Sequence, residues 1–83
     1  MLDISIIENA IKEKINTFEV RVKNEGSHYE IIVVSNDFSD LTPVKKQQLV
    51  YGPLTEFIST NDIHAVTIKT FTLKEWELQK KLL

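Results

Sequence analysis

The sequence predicts a small α+β domain, a two-layer sandwich of three strands with helices on one face. Three observations predict it. Hydrophobic periodicity switches between 3.6 and 2 along the chain in the order α-β-β-α-β-α, with room for one extra helical turn before the third strand. Two strand-like segments are separated only by Asn24-Glu25-Gly26-Ser27, a loop short enough to make an antiparallel hairpin. The chain has 83 residues, 42% of them apolar. That is one folded domain, since ordinary domains run to roughly 100–150 residues each. No repeat, low-complexity stretch or linker interrupts it.

Each element has a local cause. Residues 4–15 predict a helix, because Ile4, Ile7, Ile11 and Ile15 form one stripe. Ser5-Ile6-Ile7-Glu8 matches a capping box, with Asp3 as a competing cap. Residues 17–23 alternate strictly, placing Phe18, Val20 and Val22 on one face and Glu19, Arg21 and Lys23 on the other. The next strand, 28–35, holds Ile31-Ile32-Val33-Val34, apolar on both faces, and should be central. Residues 36–42 predict a loop with Phe38 tucked inward. Thr42-Pro43 opens a second helix, with Thr as cap and Pro at the first helical position. It should run to about Ser59, with Val44, Val50, Leu54, Phe57 and Ile58 broadly on one side. Gly52-Pro53 lies inside it, so a kink or break is expected there. A turn at 59–62 leads to a third strand, Ile63 to Phe71, rich in β-branched residues. Thr72-Leu73-Lys74-Glu75 is another capping box, opening a last helix with Leu73, Trp76 and Leu83.

Composition removes several function classes. Ten Lys plus Arg against twelve Asp plus Glu give a net charge of −2. The domain therefore lacks the basic footprint of a dedicated DNA-binding module. There is no cysteine, hence no disulfide, thiolate zinc site or thiol nucleophile. The start has no secretory pattern. The longest apolar run is four residues, against about 20 for a spanning helix. A soluble, cytoplasmic protein is expected.

Few motifs carry chemistry. Two glycines 26 residues apart, Gly26 and Gly52, cannot cradle a phosphate. None of the carboxylates sits in a catalytic motif, and no nucleophile elbow is present, so an enzyme is not expected. Lys45 and Lys46 lie in the first turns of the second helix, where cations oppose the helix dipole and phosphate is a natural partner. His28 opens the second strand and His64 the third, each directly after a turn. If those strands are parallel neighbours, both histidines start at one edge of the sheet. By strand phase, His64 shares a side with Val66 and Ile68.

The segments Gly26-Ser27-His28-Tyr29, Val33-Val34-Ser35, Val44 to Tyr51, Ile63 to Lys69 and Thr72 to Trp76 together resemble the BolA family. The stretch Lys45-Lys46-Gln47-Gln48-Leu49-Val50-Tyr51-Gly52-Pro53-Leu54 is most similar to its IbaG (YrbA) branch. The resemblance covers nearly the whole chain. It implies a type II KH-like fold, a mixed sheet with strand 3 parallel to strand 2, and a helix-turn-helix segment between those strands.

It also implies a role in iron–sulfur cluster handling or iron homeostasis. Family members associate with monothiol (CGFS) glutaredoxins and share a bridging [2Fe–2S] cluster with them. By the resemblance, His64 is the cluster ligand at the start of strand 3, and His28 is the candidate for the second. A cluster of this type needs four ligands, and mixed His/Cys ligation is chemically sound. A chain with two histidines and no thiol suits only a shared site, with thiolates from the partner and its glutathione. Imidazole binds metal when neutral, so such a complex should be labile below about pH 6. The alternative is a nucleic-acid-binding regulator acting through the helix-turn-helix, with Lys45, Lys46 and Lys69 on phosphates. The net charge ranks it second, and Lys45, Lys46 and Gln47 depart from the Arg-His-Arg pattern usual there. A free monomer or weak homodimer is expected.

Overall fold

The computed structural model describes residues 3–60, 63 and 65–82. Its elements are α1 (Ile4–Lys14), β1 (Glu19–Glu25), β2 (His28–Val34), a 3-10 turn at Asn36–Phe38, α2 (Pro43–Ser59), β3 (Ala65–Phe71) and α3 (Leu73–Lys80). The order matches the sequence reading. Asp3, not Ser5, caps α1, its side chain accepting the Ser5 N–H. Ile7, Ile11 and Ile15 are buried as the stripe requires.

The hairpin is tighter than predicted. Glu25 pairs with His28, leaving Gly26 and Ser27 as the turn, and Gly26 takes a positive φ of 59°. β2 is central, antiparallel to β1 and parallel to β3. Val20, Val22, Tyr29, Ile31, Val33, Val66 and Ile68 meet α1 and α2 on the covered face. Phe18 departs from the prediction. It precedes β1, its N–H donates to Val34 O, and its side chain is 57% exposed. The pleat that buries Val20 starts one residue too late to carry Phe18 inward.

Phe38 is buried as expected. Ser35 anchors the turn before it, its hydroxyl donating to Asn16 O at 2.6 Å and accepting the Asp37 N–H at 3.0 Å. α2 is capped by Thr42 with Pro43 in its first turn. It continues through Gly52-Pro53 as one 17-residue helix, so of the kink or break expected there the break does not occur. A residue before proline is driven from the α region partly by a clash through its Cβ, and Gly52 has none. Val50 and Leu54, both fully buried, hold the helix on either side. Val44 does not join them and is 64% exposed. Between β2 and β3 the described residues form one 3-10 turn and one continuous helix; the rest of the expected helix-turn-helix segment, at Asn61, Asp62 and His64, lies outside the described residues. The extra turn foreseen at 59–62 falls partly on Asn61 and Asp62, and Leu83 on the last residue, outside the described residues.

Two helices cover one face of the sheet, as predicted; α3 is the exception. Its Trp76 is buried against Phe71, with centroids 5.4 Å apart, and under the Arg21 guanidinium, 5.0 Å from the ring centre. Arg21 alternates with buried Val20, so Trp76 closes one end of the opposite face. The predicted capping box starts α3 in full: Glu75 N–H donates to Thr72 Oγ1, and Thr72 N–H to Glu75 Oε1.

Candidate functional site

His28 stands where β2 leaves the hairpin turn. Burial alternates along β2, with His28 exposed, Tyr29 buried, Glu30 half-buried and Ile31 buried. His28 and Glu30 are thus on the open face, away from α1 and α2. Lys23, Asn24, Glu25, His28 and Glu30 border a shallow depression of about 200 Å³. The imidazole Nε2 lies 3.3 Å from Thr67 Oγ1, across on β3.

The register explains that contact. His28 pairs with Ala65, Glu30 with Thr67 and Ile32 with Lys69. Ala65 N–H donates to Ser27 O at 3.4 Å, tying the start of β3 to the hairpin turn. The parallel arrangement brings the beginnings of β2 and β3 to one edge, as the sequence reading required. His64 itself lies outside the described residues. Its chain neighbours are described: Ile63 is buried in the core and Ala65 is exposed opposite His28. Val66 and Ile68, with which His64 was placed in phase, face the covered side.

The lysines divide between elements. Lys69 is on the open face and pairs with Glu30 at 3.2 Å. Lys45 and Lys46 belong to the first turn of α2, on the opposite layer, with Lys45 exposed and Lys46 half-buried. The Lys46 charge reaches α3, where it adds slightly to the forces holding Glu75 below the usual carboxylate range. The next residue, Gln47, has turned inward: its amide donates to Ile68 O at 3.1 Å. It covers an outward carbonyl of β3, an edge strand.

Sequence reasoning missed Thr67 and Gln47. Both contacts cross between elements, and no local pattern states which β3 residue stands beside which β2 residue. The only available signal was conditional: with β2 and β3 parallel and in step, alternation puts His28 and Thr67 on one face.

Among the described residues no three His, Cys, Asp or Glu side chains group to hold a metal ion. The donor set is one exposed imidazole near a strand edge, with a second histidine in the sequence one residue before Ala65. It fits a cluster whose remaining ligands come from another molecule, because two neutral nitrogens cannot complete four-fold ligation alone. Among the described residues no helix is long and apolar enough to cross a membrane.

Comparison with known proteins gives a consistent picture. The family model described as BolA-like protein matches residues 3–75. The acid stress protein IbaG of Escherichia coli (strain K12) is 45% identical over 76 residues, covering 92% of this chain and 90% of IbaG. Among solved structures, a bol-like protein from Babesia bovis superposes with a TM-score of 0.82 at 26% identity, covering 96% of this chain and 95% of that one. A bolA protein homologue from Coxiella burnetii gives 0.78 at 29% identity, covering 93% and 99%.

Proposed function

The chain belongs to the BolA-like family, and on that premise we propose that it is a non-enzymatic accessory protein of iron–sulfur cluster handling. In this reading it shares a bridging [2Fe–2S] cluster with a monothiol glutaredoxin. The observation that carries the reading is the parallel register of β2 and β3. It sets His28 opposite Ala65, the residue that follows His64 in the chain. His28 thus starts β2 beside Ala65, the first residue of β3, and His64 is the residue before Ala65 in the sequence. His64 and His28 are the ligands this chain contributes. The partner and its glutathione contribute thiolates, which the chain lacks. When bound, the cluster supplies a store of iron and sulfide that passes between proteins.

The chain's own part is to present and shield. His28 is exposed and accessible to a second protein. Beneath it Tyr29 and Ile31 are buried in the core. The acid-stress name carried by the IbaG relative is compatible with a regulatory use of the same complex.

The test is co-expression with a CGFS-type glutaredoxin under iron-replete conditions, followed by isolation of a coloured heterodimer. His64→Ala is expected to abolish the visible cluster spectrum and His28→Ala to weaken it. Failure of the wild type to yield a shared cluster, together with DNA binding at physiological salt, would instead favour the regulator reading, with Lys45 and Lys46 on α2 and Lys69 on β3 then substituted separately.

A further inference from the structure

Thr67 stands on the open face of β3, two residues beyond Ala65 and level with Glu30. Because His28 is opposite Ala65 in a parallel pair, His28, Ala65 and Thr67 present their side chains on one face. Ala65 contributes only a methyl group. The imidazole therefore has room to lean along the strand direction, and its Nε2 comes to 3.3 Å from Thr67 Oγ1. Glu30 is also on this face, but its Oε1 is engaged by Lys69 at 3.2 Å. Thr67 is thus the side chain that meets the ring.

We propose that Thr67 is a positioning residue for His28: the ring Nε2–H donates to Thr67 Oγ1, leaving the Nδ1 lone pair as the nitrogen His28 offers to metal. The inference rests on the shared-cluster reading and adds the orientation of one ligand to it. A neutral imidazole has one N–H and one bare nitrogen, and a hydrogen bond at one selects the role of the other. Metal-ligating histidines commonly donate their second nitrogen's proton to an oxygen, which fixes the ring plane and raises ligand basicity. A hydroxyl serves because its oxygen carries lone pairs that accept the ring N–H.

The experiment begins with the free chain, labelled with 15N at histidine and held at a pH where the imidazole is neutral. Long-range 1H–15N correlations are expected to show His28 protonated at Nε2 and bare at Nδ1, with χ1 couplings of a single rotamer. Thr67→Val keeps the shape without the hydroxyl and is expected to average those couplings; Thr67→Ser is expected to restore them. In the cluster complex with a monothiol glutaredoxin, Thr67→Val should shorten the cluster lifetime about tenfold, and Thr67→Ser should not. A wild-type ring protonated at Nδ1, or a ring equally ordered in Thr67→Val, overturns the proposal. So does an unchanged cluster lifetime in Thr67→Val. If the free-chain results hold but the wild type forms no shared cluster, Thr67 still orients the ring and the shared-cluster reading is the one that falls.

Discussion

Gly26 shows how much one backbone angle decides near the site. Its φ of 59° lies in the left-handed region, where a Cβ clashes with the chain's own carbonyl. A Cβ built there meets nothing else within 4 Å, so the cost of adding one comes from the local backbone alone. Gly26→Ala is expected to lower folding stability by about 1 kcal/mol, measured as a shift of the urea midpoint at unchanged m-value. An unchanged midpoint would mean the turn relaxes freely. His28, two residues on, inherits its place from this turn: the glycine lets the chain reverse in two residues, and the reversal puts His28 level with Glu25. The need for a turn here is legible in the sequence. The neighbour that His28 meets, Thr67, is not, because it is 39 residues away and no local pattern sets the offset between parallel strands.

Helix ends and the α2 proline make the sharpest tests among the elements. The Thr72–Glu75 capping box satisfies two otherwise orphaned N–H groups of α3. Thr72→Ala is expected to cost about 1 kcal/mol and to free Trp76 from the sheet, read by its fluorescence. Glu75 sits below its ordinary value of 4.5, first because it accepts the Thr72 backbone N–H, with weak desolvation opposing. Its carboxylate form is favoured by folding. The stabilisation is therefore complete above about pH 4.5 and is lost as pH falls through the lower folded value. Asp3 behaves alike at α1, through the Ser5 backbone N–H and then its hydroxyl. Acid melts of the wild type and Glu75→Gln should differ most above about pH 4.5 and converge as pH falls through the lowered folded value. In α2, Pro53 supplies no N–H. Pro53→Ala is expected to stabilise the chain by up to about 3 kcal/mol, seen in thermal melts; a loss would show that the half-buried ring packs better than the hydrogen bond it removes. Helix starts were readable because caps are local. The continuity of α2 was not, since it depends on burying Val50 and Leu54 under the sheet.

At the scale of the molecule, stability and the proposed cluster role are separable. The core is complete without metal: Ile7, Ile11, Ile31, Val33, Val50 and Leu54 are fully buried, while His28 is exposed on the other face. His28→Ala should leave folding stability within about 0.5 kcal/mol while weakening the shared cluster. Ile31→Ala, three residues away, should cost about 2–5 kcal/mol and unfold much of so small a domain. Far-UV circular dichroism of the free chain should not respond to iron chelators, unlike a domain folded around its metal. The sequence by itself determined the element order, the caps of α2 and α3, the hairpin, the central strand and a composition of two imidazoles and no thiol. These follow from periodicity, turn chemistry and composition, which act within a few residues. Only the tertiary structure decided the register of β3 on β2, the placing of α3 over the far face, the unbroken α2, and the meeting of His28 with Thr67. Each depends on which distant surfaces bury one another, and that is settled by packing the whole chain at once.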